Sequence, residues 1–232
     1  MTRKELIRQV ALRMDEISPE EVLSIPVDGD LISEADENPL YALINGLADD
    51  AALELYASAP YWRLPQTAFE KADIAVSSIT GDADSRKIIR LRIGDDFLRV
   101  AEIDCVDFQR PITEVYPEQS PEGRRQHNRF LMGKEAKPVG VLSFGLWQQE
   151  SDGMTINVKC REIDCYSLSY TTTVTPALGI VASYIAKPGA AEDVPEILVP
   201  ALEWLIAARA FGARGDVDHS ATCRQNAQNL LV

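Results

Sequence analysis

Arg86-Lys87-Ile88-Ile89-Arg90-Leu91-Arg92-Ile93-Gly94-Asp95-Asp96-Phe97-Leu98-Arg99-Val100, running on to Gln109-Arg110-Pro111-Ile112, is the stretch whose reading decides the fold. Ile89, Leu91 and Ile93 are apolar at odd positions, and Arg86, Arg90 and Arg92 fall on the even side. Alternation with a period of two describes a strand with one face on a core and the other toward water. Gly94-Asp95-Asp96 reads as a turn, since glycine reaches positive φ and aspartate side chains bond to nearby backbone. Phe97 to Val106 resumes with β-branched and apolar residues, so the pattern predicts a second strand pairing with the first in a β-hairpin.

Helical patterns lie on both sides of this region. Thr2-x-x-Glu5 forms a capping box, and Leu6, Ile7, Val10, Met14 and Ile17 follow at helical spacing until Ser18-Pro19. From Leu40, the residues Leu43, Ile44, Leu47, Ala51 and Leu55 recur at three and four, predicting an amphipathic helix that ends before Pro60. Residues 66–80 fit either a helix begun by Thr67-Ala68-Phe69-Glu70 or a strand around Ile74-Ala75-Val76.

Beyond the hairpin, residues 117–137 carry proline, glycine and charge and read as an exposed loop. Val139–Trp147 is apolar on both parities, as in a strand buried on both faces or at an interface. Met154, Ile156, Val158 and Cys160 alternate with polar residues, and a parity change near Arg161-Glu162 implies a bulge or turn. Thr171–Thr175 and Leu178–Ile185 supply further strand-like material before Lys187-Pro188-Gly189.

Asp193-Val194-Pro195-Glu196 reads as a second capping box, opening a helix to about Phe211 that is apolar nearly all round. Such a helix is either central to a core or shared with a neighbouring subunit, which makes Trp204 and Phe211 subunit-interface candidates. Asp216 opens a last helix. The expected fold is α+β: a bundle of N- and C-terminal helices, residues 1–80 and 188–232, with an inserted, mainly antiparallel β-domain at 86–187.

The totals narrow the function. A chain of 232 residues with 46% hydrophobic and 25% charged residues has ordinary globular composition and excludes global disorder. No run of about 18 apolar residues occurs, so no transmembrane helix is expected. The charged start leads into an amphipathic helix rather than a signal-peptide core, so synthesis in the cytoplasm is expected. The net charge of −13 is uneven: residues 1–60 hold 13 acidic and 4 basic residues, and no basic residue lies between Arg13 and Arg63. Phosphate repels such a segment, which argues against tight nucleic-acid binding by the whole surface.

Candidate chemistry is sparse. Cys105, Cys160, Cys165 and Cys223 show no Cys-x-x-Cys spacing, and His127 and His219 stand far apart, so no zinc site or other metal site is expected. No phosphate loop, Gly-x-Ser-x-Gly elbow or His-Glu-x-x-His occurs, and neither a cofactor nor a catalytic residue is assigned. Asp82-x-Asp84 and Asp95-Asp96 are turn residues before they are cation ligands. Arg214-Gly215-Asp216 matches an integrin-binding tripeptide but falls at an interhelical turn. Arg86, Arg90, Arg92 and Arg99 remain as one basic cluster, with acids close by in Asp95, Asp96, Glu102 and Asp104. A solvated strand face is the plain reading of such a cluster; as a contact, it suits a neighbouring subunit better than DNA. Arg124, Arg125 and Arg129 are loop contact candidates.

Several phrases resemble head-to-tail adaptor (connector) ring proteins of short-tailed bacteriophages, most of all those of crAss-like Bacteroides phages. They are Thr2-Arg3-Lys4-Glu5 with Val10–Ile17, Gly94-Asp95-Asp96-Phe97-Leu98-Arg99-Val100, and Phe108-Gln109-Arg110-Pro111-Ile112. Ala136-Lys137-Pro138-Val139 and Leu202-Glu203-Trp204-Leu205-Ile206-Ala207-Ala208 complete the set. The chain departs from that pattern in having Ile93-Gly94 where relatives have Leu-Pro, and Phe108 where they have Trp. The resemblance implies a helical bundle with an inserted β-domain and no catalytic residues. It further implies a twelve-membered homo-oligomeric ring in the virion neck, binding a portal protein and other tail proteins, with DNA only in transit and no membrane. An acidic channel wall built from residues 14–62 would let DNA slide. A bacterial scaffold or binding protein of similar architecture, or an enzyme with an unrecognised carboxylate site, are the other readings.

Overall fold

The computed structural model describes residues 1–14, 39–78, 87–105, 111–127, 139–147, 151–160 and 180–232. The chain is α+β and divides into two compact units: Met1–Pro65 with Lys187–Val232, and the inserted Gln66–Ala186.

The first unit is helical. Helix α1 (Arg3–Arg13) starts at Thr2, whose hydroxyl accepts from the Glu5 amide at 3.3 Å, and buries Leu6, Ile7, Val10 and Ala11. Helix α2 (Pro39–Ser58) runs through Asn45-Gly46 without a break and buries Tyr41, Ile44, Ala48, Ala51, Ala52, Leu55 and Tyr56. The predicted long helix from Asp193 begins later. Two 3-10 turns, Ala191–Asp193 and Glu196–Leu198, precede helix α4 (Val199–Ala213); the short helix α3 lies in the other unit. Proline disfavours helical backbone in the residue before it, and Val194 before Pro195 is accordingly extended (φ −66°, ψ 129°). Asp193 therefore caps backward, accepting from the Ala190 amide at 2.9 Å.

Helix α4 packs against α1, α2 and the last helix, α5 (Val217–Leu231). Ala201, Leu202, Glu203, Leu205, Ile206, Ala207, Ala208 and Ala210 are all buried. Its apolar circumference is thus used up as the centre of this core, and burial by another subunit is not needed to explain it. Helices α4 and α5 join through a Schellman turn: Gly215, at φ +82°, donates to Gly212 O at 3.1 Å, and Asp216 N donates to Phe211 O at 2.9 Å. Asp216 then caps α5 by accepting from the His219 amide at 3.1 Å. These backbone requirements account for Arg214-Gly215-Asp216.

Arginines tie the helical unit's distant segments together. Arg3 donates to Asp49 Oδ1 (2.7 Å) and Oδ2 (2.9 Å) and to Asn45 Oδ1 (2.8 Å), while Asp49 Oδ1 also accepts from Ala191 N at 3.0 Å. Three stretches far apart in sequence meet there. The hydrogen bonds from Arg3, reinforced by that from Ala191, hold the Asp49 carboxyl below its ordinary value of 3.8. A depressed carboxyl stabilises the fold above its unfolded-state pKa, and that contribution disappears as pH falls through the folded-state value. Asp49→Asn is therefore expected to flatten the loss of stability just below pH 3.8, measured as urea midpoints against pH. An unchanged acid limb would refute this.

The second unit is built from two sheets. Strands β1 (Thr67–Ala68), β8 (Ile180–Ala186) and β4 (Phe97–Cys105) form an antiparallel sheet in that order. The other sheet has the order β2 (Ile74–Ser78), β3 (Lys87–Arg92), β7 (Ser151–Cys160), β6 (Gly140–Trp147), β5 (Val115–Pro117). All its neighbours are antiparallel except β5 and β6. Residues 67–78 thus include two strands and join the β unit, which begins at Gln66 rather than at 86. The stretch 117–137 is not all loop: helix α3 (Pro121–His127) lies within it. The changes expected near Arg161 and the strand at 171–175 fall outside the described residues.

The predicted hairpin does not form. Strand β3 pairs with β2 and β7, whereas β4 pairs with β8 in the other sheet. Gly94–Phe97 does turn, with Phe97 N donating to Gly94 O at 3.2 Å, but the turn carries the chain from one sheet to the other. One apolar cluster shows why: Ile89, Leu91, Ile156 and Val158 from the five-stranded sheet pack with Val100, Ile103 and Ala182 from the three-stranded one. Placing β3 and β4 in different sheets lets both contribute to one core, as in sheet-on-sheet packing. Register shifts in β4 between Phe97 and Arg99 and between Val100 and Glu102 help both Val100 and Ile103, three residues apart, reach that cluster.

Candidate functional site

Strand β3 realises the alternation of its sequence. Ile89 and Leu91 are fully buried, Arg90 is half-buried and Arg92 is exposed. Because the odd residues enter the core, Arg90 and Arg92 share the opposite face. Arg90 lies between Ala75 and Asn157, and Arg92 stands opposite Thr155. None of these neighbours is charged. Neither arginine forms an ion pair among the described residues. On the same face Thr155, directly opposite Arg92, and Val141, beside Asn157, are nearly fully buried, while Arg92 itself is exposed. Burial of Val141 together with the core-facing Leu142 agrees with the two-faced apolar pattern of this strand.

Arg99 does not extend that face. Arg99 lies on β4, in the three-stranded sheet, where burial lowers the pKa of its guanidinium. Arg86 lies outside the described residues. Arg124 and Arg125 are exposed on α3, which packs on β5 and β6, and neither is ion-paired among the described residues; Arg129 lies outside them.

Trp204 and Phe211 are engaged within the chain. The Arg13 guanidinium sits 4.8 Å from the Trp204 ring centroid and donates from Nε to Glu203 Oε2 at 2.6 Å, with a second contact from Nη2. Phe211 stacks on His219 with centroids 5.2 Å apart. Both rings are half-buried by these partners. The pairing of Glu203 was discoverable in sequence, because a lone acid within an apolar helix requires a cation. The identity of that cation was not.

Asp216, His219, Ser220 and Cys223 approach a catalytic grouping most closely. His219 Nδ1 lies 2.7 Å from Asp216 Oδ2, as in a base held by an orienting acid. The nucleophile is missing from the arrangement, since the Ser220 hydroxyl donates to Ala208 O at 2.7 Å. Cys223 is buried, and desolvation together with the Asp216 charge pushes its thiol pKa up, away from the reactive thiolate. The geometry is that of a helix cap. Asp96 accepts from the Tyr184 hydroxyl at 2.9 Å, and among the described residues no group of acids, histidines and cysteines could hold a metal ion. Asp82 and Asp84 lie outside them. Among the described residues no helix is long and apolar enough to cross a membrane.

Of the acids in residues 14–62, the described ones answer arginines of their own unit. Asp49 binds Arg3, Glu54 binds Arg209 at 2.8 Å and lies 3.9 Å from Arg224, and Asp50 lies 3.8 Å from Arg209. The remaining acids of that segment lie outside the described residues. No protein-family model matches the chain, and no curated protein matches it in sequence.

Proposed function

We propose that this chain is a structural, non-enzymatic ring adaptor of a short-tailed bacteriophage, seated in the virion neck between the portal and the tail proteins. Its copies form a homo-oligomeric ring of twelve, made in the host cytoplasm, around a channel through which DNA passes in transit. The observation that carries this reading is the splicing of the chain: both ends build one helical unit, and a β unit is inserted between them. The resemblance to connector proteins implies that architecture. The resemblance also supplies the partners; its phrases Thr2–Glu5, Gly94–Val100 and Leu202–Ala208 fall at α1, at the β3–β4 turn with the start of β4, and in α4. In this reading the chain serves by shape and contact, and the Asp216–His219 pair serves the α4–α5 turn. The apolar helix α4 lends the ring no support, because it is buried by its own unit.

Mass photometry and electron microscopy of the purified protein, alone and mixed with a purified portal, test the proposal. A ring, or a stoichiometric collar on the portal, is the expected result. A monomer that never binds a portal would defeat it.

A further inference from the structure

We infer that the outer face of α5, in the helical unit, is a surface through which one copy of this chain meets a second copy. This rests on the adaptor reading and adds which surface takes part. Helix α5 docks on α4 through Cys223, Ala227 and Leu231, which recur every four residues and are buried. The opposite side of the helix carries Ala221, Thr222, Gln225, Gln228 and Asn229, all of them exposed. None of the five is charged. Within residues 219–232 the one Lys, Arg, Asp or Glu is Arg224, which turns aside to Glu54 of α2, 3.9 Å away. A chain with 25% charged residues thus presents to its surroundings a helix face, about two turns long, without a charge.

Solubility alone does not ask for that composition. Glu, Lys and Arg form helices better than Thr and Asn, and at i, i+4 spacing they would add ion pairs on a face that met only water. Amide and hydroxyl side chains donate and accept at once, and they lose less on leaving water than charged groups do. Such a face suits burial against another protein, since the centres of interfaces are depleted in charge. The occupant follows from the charge of the chain. Each copy carries −13, so two copies repel overall and approach most closely where that charge is locally absent. The end of α5 adds an apolar anchor: Arg63 donates to Leu230 O at 2.8 Å, and Trp62 beside it in the chain is 69% exposed. Tryptophan is enriched at interfaces relative to the rest of a protein surface.

The test is mass photometry of the 232-residue chain over a range of concentrations, alone and with purified portal. It compares the parent chain with Gln225→Glu plus Asn229→Glu, with Gln225→Lys plus Asn229→Lys, and with Ala42→Glu plus Ala57→Glu, which adds charge at exposed positions of α2. Both pairs at 225 and 229 are expected to raise the midpoint concentration for assembly by roughly tenfold or more, since a charge of either sign has to be buried at the contact. The pair on α2 is expected to assemble like the parent. Folding of each variant is checked by circular dichroism, and the single Gln225→Lys repeats the test should a pair unfold α5. Unchanged assembly of the folded 225/229 variants overturns the inference alone, as does an equal loss in the α2 pair. Weaker assembly with Glu but tighter assembly with Lys also overturns it, because net repulsion would then account for both. Lost portal binding with association between copies intact would assign the face to the portal instead. A parent chain that never assembles, alone or on the portal, removes the adaptor reading together with this one.

Discussion

Replacing Arg13 by alanine is expected to lower the stability of the helical unit by about 3 kcal/mol, because it strands a buried carboxylate. The Glu203 side chain is only 7% exposed, against 30% for Arg13, and Glu203 Oε2 takes both guanidinium contacts. Removing the arginine leaves that charge with neither water nor a partner, and it also removes the cation from the face of Trp204. Replacing both Arg13 and Glu203 by leucine should recover most of the loss, since an apolar pair avoids the desolvation of two ions. Urea unfolding followed by helical circular dichroism measures both. A loss below about 1 kcal/mol in Arg13→Ala would mean that the pair behaves like a solvated surface bridge.

Leu202→Ala is expected to cost about 3 kcal/mol as well, through lost burial and the cavity left behind. Leu202 is fully buried on α4, among contacts from α1, α2 and α5. What separates this prediction from one based on an oligomeric interface is its dependence on concentration. Stability drawn from a partner rises with protein concentration by mass action, whereas a core within one chain does not. The difference between Leu202→Ala and the parent should therefore stay constant over a hundredfold dilution. A difference that shrinks on dilution would return α4 to an interface role.

Local chemistry was legible wherever its partners lie close in the chain. Thr2, with its capping-box spacing to Glu5, and Asp216 cap the helices they are expected to open. The alternation from Ile89 to Arg92 correctly separates core from solvent. Pro195 shows the limit even at short range. Asp193 and Glu196 have capping-box spacing, yet the backbone before Pro195 is extended and the helix waits until Val199.

The arginine cluster was misjoined for a physical reason. A turn at Gly94-Asp95-Asp96 reverses the chain equally well within one sheet or between two facing sheets. The choice depends on β7 and β8, whose residues lie some 50 to 90 positions beyond the turn and pair with β3 and β4 respectively. Only those pairings reveal that Arg99 belongs to a different sheet from Arg90 and Arg92.

By itself, the sequence determined the α+β class, the helical ends around a β insertion, the caps and the two faces of β3, because each follows from periodicity or from neighbours within a turn. Tertiary structure alone decided that β3 and β4 part into separate sheets, that α4 is covered by α1, α2 and α5, and that Glu203 meets Arg13. Those outcomes are set by contacts between residues far apart in the chain, where burial and charge pairing select among partners that local pattern leaves equivalent.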